Sequence, residues 1–239
     1  MLAPAQCQVW WATPALARRC HASLLDAGER ARLERLVRPG DRERFTVGCA
    51  LLRIVIGRLT GTPPDAVCLD RTCPDCSERH GKPVPGDAPG LECSLSHSGA
   101  RVVVAVTRCA PLGVDVEAVD RALDLGELGQ HILSPDERAD LEALPHSRRA
   151  WGFATTWTRK EATLKATGHG LRVSPDRVHV TSPVLAPAVV GVGDVPFEAG
   201  DVSLYPLDAG DGYAATLAAT GRLDRVIERD AAPLLAGTG

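Results

Sequence analysis

Two distant stretches of the chain close in the same way, and this limits the folds open to it. They are "LRIVIGRLTG" at 52–61 and "RKEATLKATG" at 159–168. Laid together, Arg53 falls on Lys160, Arg58 on Lys165, and both stretches end in Thr-Gly, a common way to stop a helix. Each is followed by a Pro-Asp step, "TPPD" at 62–65 and "VSPD" at 173–176. Each then leads to a pair of strand-like runs, "CSLSHSGARVVVAV" and "VSLYPLDAGDGYAATLA". The pattern predicts an α+β fold made of two similar halves about a pseudo-twofold axis, 1–112 and 113–230. Residues 231–239 have no period and read as a frayed tail. The copies differ at one telling place: Ile54 stands where the second copy has Glu161.

Local signals fill in the halves. "GERARLERLVRPGDRER" and "FTVGCALLRIVIGRLTG" have a helical pattern that Pro39-Gly40 divides in two. "LECSLSHSG", "ARVVVAV" and "LGVDVEAV" read as strands joined by tight turns. "SPDERADLEAL" begins with a Ser cap and an acidic first turn, so a helix starts there. "WTRKEATLKATG" lies on a second helix, and strands are expected near "DRVHVTS", "DVSLYPL" and "GYAATLAAT".

Composition narrows the function classes. A chain of 239 residues, 44% hydrophobic, can bury a substantial core. A net charge of −3 lacks the basic footprint of a nucleic-acid binder. No run approaches the roughly 18 apolar residues of a membrane span. The opening "MLAPAQCQVWWATPALARRC" lacks the basic start and unbroken apolar stretch of a signal peptide. A cytoplasmic location and free thiols are expected, with no membrane or nucleic-acid partner.

The chemistry gathers around "GVDVE" at 113–117. In a strand, side chains two apart share a face, with about 6.6 Å between their Cα atoms. Asp115 and Glu117 therefore project together, and two neighbouring carboxylates repel unless a cation intervenes. Taken alone they read as solvated charges at a strand end. In "WTRKEATLK" (157–165), Glu161 and Lys165 stand in the favourable i, i+4 order of a surface pair. Trp157, one turn earlier, argues that this face is partly buried, where a Glu needs a partner. A third carboxylate meeting the other two makes an all-oxygen site suited to Mg²⁺ and phosphate oxygens. Donors for phosphate are at hand in Ser96, His97, Ser98 and Gly99 of "SLSHSG", in Lys82 of "HGKP", and in Arg30, Arg32, Arg44 and Arg53.

"GVDVE" followed by "WTRKEATLK" resembles the paired signatures of the 4'-phosphopantetheinyl transferases. More narrowly, the chain is similar to the larger, single-chain surfactin-synthetase-activating type, in its Trp/Lys-Glu-Ala subgroup. The resemblance runs from "DRERFTVGCALLR" through "HGKPVPG", "SLSHSG" and "KATGHGL" to "GYAATLA". It implies transfer of 4'-phosphopantetheine from coenzyme A to a serine of an acyl or peptidyl carrier protein, releasing 3',5'-ADP. Such carriers serve fatty-acid, polyketide and peptide synthesis. It also implies a monomeric, pseudodimeric fold. By resemblance, Asp115, Glu117 and Glu161 surround Mg²⁺ and the pyrophosphate, and Lys165 lies beside the transferred phosphate. Lys82, Ser96 and His97 match positions that contact coenzyme A, and Arg44 matches the one near the 3'-phosphate. Glu161 is the expected base for the incoming serine, directly or through a metal-bound water.

Other readings compete. Carboxylate clusters also serve metal-dependent phosphodiesterases, though no further acidic cluster is present for a second metal. Cys68, Cys73, Cys76 and His80 form C-x4-C-x2-C-x3-H, whose core spacing suits a zinc-knuckle interaction module. One Cys-x-x-Cys without a second pair is a weak form of that signal. For a carrier protein, the apolar run "LDLGELGQHIL" at 123–133 offers the expected docking surface.

Overall fold

The structure, a computed structural model, describes residues 2, 5–73, 78, 81–120, 122 and 125–237. The fold is α+β. The chain divides into two compact units: residues 1–109 with 225–239, and residues 110–224.

The first unit opens with β1 (Gln6–Ala12), followed by the short α1 (Arg19–Ser23), α2 (Ala27–Arg35) and α3 (Pro39–Thr60). The Pro39-Gly40 step divides the helices as expected, because Pro39 takes an N-terminal position of α3, where its missing N–H costs nothing. Gly61, at φ 79°, closes α3 and donates to the Gly57 carbonyl at 2.8 Å. Two-residue strands β2 (Leu69–Asp70) and β3 (Val84–Pro85) pair with each other. Strands β4 (Glu92–Ser98) and β5 (Arg101–Thr107) form an antiparallel hairpin. Leu51, Leu52, Val55 and Ile56 of α3 join Val102, Val104 and Val106 in one core. Each such fully buried side chain contributes about 1.5–3 kcal/mol.

The second unit repeats the plan. Strand β6 (Leu112–Ala118) is followed by α4 (Leu125–Ile132), α5 (Pro135–Ala143) and α6 (His146–Ala166). Ser134 caps α5 by accepting from the Glu137 N–H, as its Ser-plus-acidic start predicts. Gly168, at φ 76°, follows α6 as Gly61 follows α3. Short strands β7 (Val178–Val180) and β8 (Val189–Val192) pair, and β9 (Val202–Pro206) and β10 (Tyr213–Thr220) complete a sheet of order β6-β10-β9. Ala162, Leu164 and Ala166 of α6 pack with Leu204 and Ala218 in this unit's core.

The chain then returns to the first unit. Strand β11 (Arg225–Asp230) runs parallel to β1, giving the sheet order β11-β1-β5-β4. The sequence pattern places these residues with the second half, and their pairing with β1 assigns them to the first unit instead. The expected frayed tail is also corrected, since residues 232–236 form α7 (Ala232–Ala236). Leu235 is 1% exposed, and its carbonyl lies 3.1 Å from His21 Nε2. Five apolar or small residues carry no periodic signal by themselves; burial against the first unit's core holds them.

No helix among the described residues is long and apolar enough to cross a membrane.

Candidate functional site

The second unit gathers its charged groups where β6 lies against α6. The approach is close because residue 113 has no side chain. A Cβ there would lie 2.2 Å from the Ala162 carbonyl oxygen and 2.5 Å from the Ala166 nitrogen. Two residues on, Asp115 is 2% exposed and accepts a 2.7 Å hydrogen bond from Lys165 Nζ through Oδ1. The same ammonium donates to the Val114 carbonyl at 3.3 Å. An exposed strand end was one reading of Asp115; the structure buries it. Glu117, next on that face, is half-buried.

Glu161 lies one turn before Lys165 on α6. Its Oε1 is buried and has no hydrogen-bond partner among the described residues. Burial raises its carboxyl above the usual range; Lys165 opposes this, while the charges of Asp115 and Glu117 add to it. The three expected carboxylates therefore share one electrostatic field. Among the described residues, however, no group of three His, Cys, Asp or Glu side chains is arranged to hold a metal ion. The donor set is all-oxygen and Glu161 has an unused buried oxygen, so the chemistry fits Mg²⁺. Among the described residues, Asp115 holds the Lys165 ammonium.

Two hydroxyls missed in the sequence stand behind the carboxylates. Thr216 on β10 pairs in register with Asp115. Its Oγ1 lies 3.1 Å from that of Thr158, one turn before Glu161 on α6. Both threonines are buried. Their one sequence signal was position: Thr158 precedes Glu161 by three residues, a spacing that places both on one helix face.

An apolar groove of about 250 Å³ opens beside Glu117, lined also by Ala118, Asp120, Ile132, Phe153 and Trp157. Trp157 is half-buried, as its place before Glu161 suggested. The expected docking run at 123–133 is only partly described: residues 123 and 124 lie outside the described residues, and 125–132 form α4. Leu133 is 2% exposed and packs with Leu141, Leu144 and Phe153, so it faces inward. Ile132 remains partly exposed.

The other expected donors belong to the first unit. Arg44 donates to the Gly99 carbonyl at 2.9 Å and also bonds Asp41, so it stands at the turn that follows Ser96 and His97. His97 is exposed and Ser96 half-buried, both on β4. Lys82 pairs with Glu92 at 3.2 Å. Glu92 begins β4, about 16 Å of strand from His97. Arg44 and the Ser96–His97 segment are thus brought together, and Lys82 is held at the far end of the strand. Of the remaining arginines, Arg32 covers the Phe45 ring and Arg53 is buried in an ion-pair network.

The cysteines divide by burial. Burial pushes the Cys7 and Cys93 thiols up to about 12, which leaves them unreactive near neutral pH. In the expected zinc group, Cys68 is exposed and Cys73 buried, while Cys76 and His80 lie outside the described residues.

Residues 111–218, which span this whole constellation, match the family model described as the 4'-phosphopantetheinyl transferase superfamily. That match covers a little under half of the chain and lies within the second unit. The chain is 37% identical over 153 residues to the 4'-phosphopantetheinyl transferase HetI of Nostoc sp., covering 63% of this chain and 62% of that relative. It is 34% identical over 143 residues to the 4'-phosphopantetheinyl transferase psf-1 of Bacillus pumilus, covering 60% of this chain and 58% of that one. It is 27% identical over 158 residues to the 4'-phosphopantetheinyl transferase Sfp of Bacillus subtilis, 66% of each. The chain spans about three fifths of the length of the first two relatives. Within the matched domain, Asp115, Glu117, Glu161 and Lys165 come from two elements only, β6 and α6.

Proposed function

We propose that the protein transfers 4'-phosphopantetheine from coenzyme A to a serine of an apo acyl or peptidyl carrier protein, giving the holo carrier and 3',5'-ADP. We place it with the surfactin-synthetase-activating type, Trp/Lys-Glu-Ala subgroup, acting as a cytoplasmic monomer. The repeated plan of the two units supports a pseudodimeric fold. The observation that carries the reading is the meeting of Asp115, Glu161 and Lys165 inside the superfamily-matched domain.

The residues divide the work. Glu161, its carboxyl raised by burial and by two carboxylate neighbours, takes the proton of the serine hydroxyl. The serine oxygen forms a bond to the phosphorus that carries the pantetheine, and the bond from that phosphorus to the bridging oxygen breaks. The bridging oxygen and its electron pair leave with 3',5'-ADP. Lys165 neutralises charge on the diphosphate as it develops. Asp115, Glu117 and Glu161 would hold Mg²⁺, which when bound supplies further neutralisation of the pyrophosphate. Arg44 is assigned to the 3'-phosphate, and Ser96, His97 and Lys82 to the rest of coenzyme A.

The carrier is read as docking by apolar contact near α4 and the groove beside Glu117, with little charge steering, in keeping with a net charge of −3. Intact mass of apo carrier proteins incubated with enzyme, coenzyme A and Mg²⁺ tests the activity. A gain of about 340 Da is expected, and its absence with every carrier class rejects the reading. The docking model is checked separately through kcat/KM for the carrier, which should fall only slightly as salt rises. A loss of tenfold or more between roughly 0.05 and 0.3 M rejects it.

A further inference from the structure

The Lys165 ammonium occupies a place that its proposed phosphate role does not require. It binds Asp115 Oδ1 at 2.7 Å and the Val114 carbonyl at 3.3 Å, so two of its three N–H donors are directed at the strand. Asp115 is almost wholly buried, while the lysine side chain is 27% exposed and has a route to solvent. Lys165 also acts on Glu161, where its charge counters the effect of the two neighbouring carboxylates. One ammonium thus serves two of the three carboxylates, Asp115 and Glu161, that the proposed function assigns to a divalent cation.

The two cations oppose each other. A carboxylate keeps acceptor sites beyond the one that takes the 2.7 Å bond from Lys165, but a dication on Asp115 would stand within a few ångströms of the ammonium, and like charges that close repel.

We propose that Lys165 is a charge placeholder. It seats its ammonium on Asp115 while the protein is empty, and gives up that seat when a diphosphate draws the ammonium away. Divalent-cation binding to the empty protein is then weak, and it is coupled through Lys165 to diphosphate binding. The proposal rests on the carboxylate metal site of the proposed function. It adds that Lys165 opposes the metal when no substrate is present, whereas a lysine acting only on phosphate leaves metal affinity unchanged.

The test is Mn²⁺ binding to substrate-free protein near neutral pH, read from the electron paramagnetic resonance signal of free Mn²⁺. Far-UV circular dichroism melts confirm that each variant is folded. Lys165→Gln should bind Mn²⁺ about tenfold more tightly than the parent, a change of about 1.4 kcal/mol. Lys165→Arg keeps the charge and should stay within about threefold of the parent. Adding Asp115→Asn to Lys165→Gln should remove the gain. Equal or weaker binding by Lys165→Gln overturns the proposal, as does an equal gain in Lys165→Arg. If parent and Lys165→Gln bind alike and Asp115→Asn abolishes binding, the carboxylate metal site survives and the placeholder does not. If no protein binds Mn²⁺, both fail together.

Discussion

The two units bury the same device with different atoms. In the first, Arg53 is 2% exposed on α3 and its guanidinium meets Glu29 at 2.9 Å and Asp26 at 3.1 Å. Asp26 and Glu29 are the two halves of the capping box of α2. In the second, Lys160 is wholly buried on α6 and meets Glu137 at 2.6 Å. Glu137 is the acidic half of the capping box of α5. Each cation also binds a backbone carbonyl beyond its helix, Val67 for Arg53 and Pro175 for Lys160. One residue later the units part. Ile54 is 6% exposed and lies in the hydrophobic core, whereas Glu161 carries an unpartnered buried oxygen. A helix tied down by its buried cation can hold an unfavourable carboxylate at the next position. The first unit uses the same anchorage for packing alone.

The largest expected effect separates those neighbours. Glu161→Ala or Asp115→Ala should lower transfer to carrier protein by about a thousandfold or more, with the melting transition kept. Ile54→Ala should lower the melting temperature, a loss of about 2–5 kcal/mol, and leave kcat of the folded fraction nearly intact. Full activity in either carboxylate variant would erase the distinction between the units.

The anchors themselves should behave alike. Lys160→Ala removes the cation from buried Glu137, at a cost of about 3–5 kcal/mol in denaturant unfolding, and Arg53→Ala, which leaves Glu29 the longer 3.5 Å ion pair with Arg71, should cost nearly as much. Replacing the Lys160–Glu137 pair together by Met and Gln should cost less than Lys160→Ala alone, because no buried charge is left over. Equal costs would mean that the pair is not the anchor.

The smallest effect isolates Glu161. Its carboxyl is raised in the folded state, so its contribution to stability is present below the unfolded value and lost as pH rises through the folded one. Glu161→Gln should therefore raise the melting temperature at neutral pH, with the gain vanishing near pH 4. A gain that persists in acid would point to packing instead.

What the sequence revealed follows from what is local. The caps at Ser134 and Gly61, and the period of β4, β5 and β6, act within a few residues, so those elements were legible. The pairing of Arg53 with Lys160 was visible by alignment. Their partners Glu29 and Glu137 were not, because capping-box residues read as surface charges until the long helix covers them. Strand β11, "RVIERD", is mostly exposed and alternates poorly, and its pairing with β1 supplies the order. The site residues of β6 and α6 were named from motif spacing. The role of Gly113 was not, since close approach is a property of two elements together.

The parallel pairing of β1 with β11 sets a timetable for synthesis. Gln6 stands opposite Arg225, so the first unit's sheet lacks the outer strand beside β1 until residue 230 has left the ribosome. Residues 110–224, contiguous in the chain, can close their own sheet before that. Domains fold as units while the chain grows, and pairings between distant residues come late. The unit that carries Asp115, Glu161 and Lys165 is thus assembled first, even though the chain begins with the other. Until then Trp10 and Val9 of β1, buried in the finished protein, lack the neighbour strand that shields one edge, a period in which a chaperone has a hydrophobic strand to hold.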